Sequence, residues 1–273
     1  MRDQLPGTAI RNDTRGVSEV VGFILIFGIL VLTLTTYQAT IVPQQNAQTE
    51  FQHYEDVRNE MIELRNAIST AGQADVSQFP SVKLGTNYQS RILTINPAPP
   101  AGTLQTSSYN ITINDSSNNT EYIPTKFIEY QPGYNEITVG STWYENSVLY
   151  ADESGTRNAI TIEDQHLVTD GNELKITTLQ NTYQRSGTSR VTVELIPNES
   201  ADHLQNLSKN EELTIKIPTR LNETEYWSVL NETLDTDDHV GYERVNETSD
   251  INYLVLNTTN QSHIEINTVE IYP

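Results

Sequence analysis

The densest run of metal-type ligands in the chain is Asp235-Thr236-Asp237-Asp238-His239. A calcium loop of the EF-hand kind also needs a central glycine and a glutamate at its twelfth position, and neither falls in place, so the run reads as a solvated acidic turn. His53, His166, His203, His239 and His263 stand far apart, with no His-x-His or His-Glu-x-x-His pair that would put two imidazoles on one metal. No metal site and no cofactor are expected. The chain has no cysteine and therefore no thiolate nucleophile or disulfide. It also lacks a Gly-x-Ser-x-Gly elbow, a phosphate loop and a dinucleotide glycine pattern. The expectation is a protein that is not an enzyme.

Modification chemistry is better represented. Asn-x-Ser/Thr, the acceptor tripeptide for N-glycosylation, occurs at Asn110, Asn114, Asn118, Asn198, Asn206, Asn222, Asn231, Asn246, Asn257 and Asn260. Several of these fall in turn-forming clusters, where a transferase can reach the side chain. The competing reading is that a chain rich in Asn and Thr makes such tripeptides freely.

These residues need elements to carry them. Val20 to Val42 is the one segment apolar enough to be membrane-embedded. Its strictly apolar part ends near Leu34, but threonine can return its hydroxyl to the helix backbone, so about 23 residues can span a bilayer. Arg2, Arg11 and Arg15 precede the segment, and the next basic residue is Arg58. That bias places the N-terminus in the cytoplasm and everything after Val42 outside, as a single-pass protein of the cell membrane in contact with its lipid. Pro43 removes a backbone donor and should kink or restart the helix. Beyond it Phe51, Tyr54, Val57, Met61, Leu64 and Ile68 recur at spacings of three and four, and the last five lie within an arc of about 80°. Glu55, Asn59 and Glu63 fall opposite, and Ala71-Gly72 should end this helix, which covers its own domain or packs against neighbours.

From Val82 the period becomes two. Val82–Leu84, Arg91–Ile95, Tyr109–Ile113, Ile160–Ile162, Leu174–Thr177 and Val191–Leu195 alternate branched apolar and polar residues and predict half-buried strands, and further strands are expected at Tyr253–Leu256 and His263–Ile271. Asp170-Gly171 predicts a hairpin, and Asn222 could cap a short helix reaching Leu234. Adjacent Trp143-Tyr144 and Tyr226-Trp227 suit either a core with polar rims or an adhesive face. The fold class expected is α+β, mostly β: a long N-terminal membrane and amphipathic helix followed by an extracellular antiparallel β domain. The organisation expected is a leader at 1–16, a transmembrane helix at 17–42, an amphipathic helix at 43–72 and a β-rich ectodomain at 73–273, with a subdivision open near 200.

Lys and Arg number 16 against 36 Asp and Glu, for a formal charge of −20. Such a chain repels nucleic acid, so no nucleic-acid partner is expected. Only five of the cations are lysine, at Lys83, Lys126, Lys175, Lys209 and Lys216. An acidic, lysine-poor, Thr-rich surface resembles that of proteins from halophilic archaea, which must stay hydrated where molar salt screens charge within about 3 Å. The alternative is an ordinary acidic exported protein.

The pattern Thr14-Arg15-Gly16 followed by Val17-Ser18-Glu19-Val20-Val21-Gly22 resembles the leader of type IV prepilins, especially those of haloarchaea. The resemblance covers about 30 residues and implies a prepilin peptidase that cuts the Gly16–Val17 bond on the cytoplasmic side and leaves the apolar helix intact. Bacterial members place a glutamate at the fifth mature position, here Val21, and many archaeal relatives a proline at the third, here Glu19. By analogy Glu19 would meet the α-amine of a neighbouring Val17 during assembly with other pilin subunits; a headgroup-level carboxylate in water is the alternative. The implied function is a pilin-like, membrane-anchored cell-surface structural protein, a minor or accessory subunit of a pilus or adhesion apparatus. The alternative is an uncleaved signal-anchor surface glycoprotein whose β domain binds a ligand or partner.

Overall fold

The computed structural model describes residues 14–117, 119–152, 159–169, 173–198, 212–221, 240–245, 251–258 and 263–273. The fold is α+β and mostly β, one long N-terminal helix followed by a largely antiparallel β domain. Helix α1, Thr14–Thr36, passes through a π-helical turn, Tyr37–Ile41, into α2, Val42–Ala74. The π turn lies immediately before the proline: the Val42 N–H donates to Tyr37 O, five residues back, and Pro43 occupies the first turn of α2. Proline has no N–H to donate, and the π turn before it is where the hydrogen-bond register shifts from i−4 to i−5. The helix thus continues through the proline without a break, since Ile41 and Val42 both keep right-handed helical backbone.

It ends later than Gly72. Helical geometry continues to Ala74, and Asp75 supplies the left-handed cap at φ 55°. Gly72 has a different role, since a Cβ there would lie 2.7 Å from Thr177 Cγ2. The glycine lets the helix backbone close onto a strand.

Strands β1 (Ser81–Lys83) and β10 (Arg190–Thr192) form a small antiparallel pair. The large sheet runs β13-β14-β12-β2-β3-β4-β5-β6, where β2 is Gly102–Asp115, β3 Thr120–Gln131, β4 Thr142–Glu145, β5 Val148–Asp152 and β6 Ala159–Glu163. Its other members are β12 (Leu213–Thr219), β13 (Val240–Val245) and β14 (Asn252–Thr258), and β9 (Gln184–Gly187) adds to β2. A second sheet runs β11-β15-β8-β7, with β7 Val168–Thr169, β8 Glu173–Gln180, β11 Glu194–Pro197 and β15 His263–Tyr272; β15 and β8 are parallel. The pairings Val168↔Leu174 and Thr169↔Glu173 are those of the hairpin expected around Asp170-Gly171.

Two cores result. Ile111, Ile113 and Ile123 join Ile215, Ile217, Leu254 and Leu256 in packing against Leu174 and Ile176. Val57, Met61, Leu64, Ile68 and Ala71 of α2 pack on Leu104, Ile128, Tyr130, Leu179 and Val269. The middle strands separate the two: Phe127, Trp143 and Tyr150 enter the first core, while Ile128, Tyr144 and Leu149 enter the second. Trp143 and Tyr144 are therefore core residues.

Two expected strands differ. Arg91–Ile95 forms no strand; Ile92 and Leu93 make a turn, with Leu93 at φ 63°. The alternation there had no neighbouring strand to pair with. Val191–Leu195 is split between β10 and β11 by the fully buried Val193, whose N–H donates to Pro80 O at 2.8 Å. The helix expected from Asn222 lies outside the described residues.

Candidate functional site

The long helix carries the residues singled out for processing and assembly. From Val20 to Leu34 its large apolar side chains are exposed, and the helix is long and apolar enough to cross a membrane. Thr33, Thr35, Thr36 and Thr40 each donate a hydroxyl to the carbonyl four residues back, at 2.7–2.9 Å. The apolar stretch is extended by that masking, as its sequence implies. The backbone of Arg15, Gly16 and Val17 belongs to the first turns of α1, and Glu19 is exposed.

Burial begins abruptly at the other end. Val42, Asn46, Glu50 and His53 continue the stripe of Val57, Met61 and Leu64 at spacings of three and four, and all are buried. Glu50 is fully buried and collects four donors. Tyr88 donates its hydroxyl to Oε1, Asn135 N–H donates to Oε1 at 2.8 Å, and the N–H groups of Glu136 and Ile137 donate to Oε2 at 2.9 and 3.0 Å. Burial and the Glu50 bond push the Tyr88 phenol well above its ordinary pKa, so it remains a donor. His53 Nε2 lies 3.0 Å from Lys83 O and Nδ1 2.7 Å from Tyr134 Oη, a pair of contacts that suits the neutral Nε2–H tautomer. Desolvation, then the Lys83 charge, lowers its pKa and favours that form. Arg65 anchors the middle of α2 by donating to Ser147 O at 2.7 Å and Asp164 O at 2.5 Å. These polar anchors give the helix one rotation and one register on the β domain, which an apolar stripe alone would leave free to slide.

A second buried carboxylate lies in the sheet. Glu145, at the end of β4, accepts from Thr219 Oγ1 at 2.5 Å, Arg220 N at 3.1 Å and Tyr150 Oη at 3.3 Å. Desolvation dominates these bonds and pushes its pKa up from 4.5 to about 7. Arg220 stacks 3.8 Å above the Trp143 ring centroid and pairs with Asp152 at 3.5 Å. The carboxylate and guanidinium thus join β4, β5 and β12.

Four of the ten acceptor asparagines are described. Asn110 is exposed on β2. Asn114 accepts from Thr120 Oγ1 at 2.8 Å, and Asn257 from Thr214 Oγ1 at 3.0 Å. The register Thr120↔Asn114↔Thr214↔Asn257 sets them in one row on the outer face of the large sheet. Asn198 donates to Glu270 Oε1 at 2.9 Å. Asn118, Asn206, Asn222, Asn231, Asn246 and Asn260 lie outside the described residues, as does Asp235–His239. Among the described residues no three His, Asp or Glu side chains gather closely enough to hold a metal ion.

No known protein family, curated protein or solved structure matches this chain. Its own geometry must carry the functional reading. Sequence reasoning passed over Asn46 and Glu50 and weighed His53 only as a metal ligand, although their spacing placed all three on the apolar stripe. Glu145 and Arg220 left no comparable signal, because their partners are strands far away along the chain.

Proposed function

We propose that the chain is a pilin-like, membrane-anchored structural subunit of the cell surface, with α1 in the bilayer and the β domain outside, acting as a minor or accessory component of a pilus or adhesion apparatus. The observation that supports this most is the division of one continuous helix, Thr14–Ala74, into a bare apolar half and a half clamped to the β domain. A helix used only as domain cover has no need of the first half, and a simple anchor has no need of rigid continuity with the second. In this reading prepilin peptidase cuts Gly16–Val17, α1 holds the subunit in lipid until assembly, and Glu19 meets the new α-amine of a neighbouring Val17. The row containing Asn114 and Asn257, with exposed Asn110, offers the outer sheet face for glycosylation. The proposed role is structural and needs no cofactor.

Leader processing tests it. Intact-mass and N-terminal analysis of membrane-extracted protein should show a mature chain beginning at Val17, and Gly16→Val should retain the leader because the added side chain obstructs backbone entry at the scissile bond. A wild-type chain that keeps residues 1–16 would sink the pilin reading and leave the uncleaved signal-anchor glycoprotein.

A further inference from the structure

The geometry points to a second membrane contact: the turn Arg91–Ile95 is an apolar foot that dips into the outer interface of the bilayer beside the point where the long helix leaves it. The inference rests on the anchored reading above and adds to it the part of the β domain that touches lipid.

The first support is exposure. Ile92, Leu93 and Ile95 are 90%, 79% and 82% exposed, the three highest values among the large apolar side chains of the described residues. Three such residues within five form a contiguous apolar tip, which a water-facing surface normally avoids. Leu93 also holds φ 63°, a left-handed conformation that costs a branched side chain free energy, and it does so while remaining exposed.

The second support is place. Ile95 is fixed to the helix by a reciprocal pair of bonds: Gln38 Nε2 donates to Ile95 O at 2.7 Å, and Ile95 N–H donates to Gln38 Oε1 at 3.0 Å. Arg91, at the other side of the turn, donates to Asn46 Oδ1 at 3.2 Å and Asn96 Oδ1 at 3.1 Å. The tip is thereby held at the level of Gln38. Burial by the β domain begins at Val42, so the helix is free to lie in lipid up to about that level. Ser18 to Tyr37 rises about 30 Å, the thickness of a hydrocarbon core. The end of the span, the start of the domain and the apolar tip therefore coincide. Lipid is the occupant that this coincidence selects: apolar side chains at the tip enter the acyl boundary, while Arg91 remains at headgroup depth, where a guanidinium meets phosphate.

Other exposed apolar residues lack this placement. Phe79, 60% exposed, lies between Ala74, about 54 Å along the helix axis from Gln38, and Lys83, which bonds Glu60 about 33 Å from Gln38, and cannot reach the same bilayer interface. It serves as the control.

The absence of cysteine makes the test direct. Leu93→Cys, Phe79→Cys and Leu32→Cys of the full chain are each labelled with a nitroxide and reconstituted in diphytanoylphosphatidylglycerol vesicles, and collision with oxygen is compared with collision with a water-soluble nickel chelate by electron paramagnetic resonance. All three positions are exposed, so the labels leave the cores intact. The label at 93 should shift toward the oxygen-accessible, nickel-protected behaviour of the label at 32, at a shallower depth and independently of the protein-to-lipid ratio. Nickel access equal to that at 79 would overturn the inference while leaving the anchor in place. Protection at 93 accompanied by spin–spin broadening that grows with protein density would overturn it in favour of contact with a second copy. Release of the wild-type chain from vesicles by alkaline carbonate would remove the anchored reading and the inference together.

Discussion

At the scale of single residues, two fully buried glutamates are satisfied by different sets of donors. Glu50 receives three backbone N–H groups and a phenol, all formed by segments that the helix itself brings together. Glu50→Ala would orphan those donors, each at a cost of about 1–3 kcal/mol. Thermal unfolding of the full chain in nonionic detergent should fall by about 10 °C; an unchanged midpoint would show the cluster to be energetically idle. Glu145 has fewer charge-stabilising bonds, and burial raises its pKa from 4.5 to about 7. The native state therefore holds this proton more tightly than the unfolded chain, so its contribution to stability is complete below pH 4.5 and is lost as pH rises through about 7. The loss amounts to about 3 kcal/mol. Glu145→Gln should remove it, and the stability difference between variant and wild type should grow in the variant's favour from pH 4.5 to pH 8. A difference that is flat across that window would contradict the assignment. Arg220 and Asp152 are the neighbouring charged groups, and burial raises the Asp152 pKa against the pull of the Arg220 charge.

At the scale of elements, α2 meets the second sheet through one close approach. Gly72 leaves no room for a methyl group beside Thr177, whose Cγ2 and Oγ1 would lie 2.7 and 2.9 Å from it. Threonine is stiff at χ1, so the strand or the helix must move instead. Gly72→Ala should destabilise the chain by about 1–3 kcal/mol despite alanine's better helix propensity, and adding Thr177→Ala should recover most of the loss. Additive effects in that double-mutant cycle would refute direct contact. Strands β4 and β5 show a related effect of packing. Every residue of Thr142–Glu145 is buried, because one face meets each core, so the strand lacks the polar alternation by which half-buried strands are recognised.

At the scale of the whole molecule, charge and the long helix act on different parts. The formal charge of −20 falls wholly on residues 43–273, because Arg2, Arg11 and Arg15 offset Asp3, Asp13 and Glu19, and there it repels itself. Raising salt shortens the screening length from about 30 Å at 0.01 M to about 3 Å at 1 M. The melting temperature in nonionic detergent should therefore rise markedly from millimolar to molar salt, whereas indifference to salt would remove the support for adaptation to brine. The helix is insensitive to this screening where it is apolar, and its anchors to the β domain are buried.

Much of this organisation follows from the order of residues alone. The apolar run after Arg15, the threonine hydroxyls that extend it, the disturbed hydrogen-bond ladder at Pro43 and the stripe from Val57 to Ile68 all depend on neighbours within about five residues, which a linear pattern records directly. The strands at Tyr109–Ile113 and Leu174–Thr177 were legible for the same reason, since one face of each carries polar residues. Tertiary structure decided the rest. Arg91–Ile95 has a strand's alternation, yet its backbone partner is the Gln38 side chain, so no ladder forms and its apolar residues face outward. Glu145, Thr219 and Arg220 acquire their chemistry only when β4 and β12 are folded together, across 74 residues of chain. Local periodicity carries no information about a partner at that distance, and burial without periodicity, as in β4, is set by the second layer that covers it.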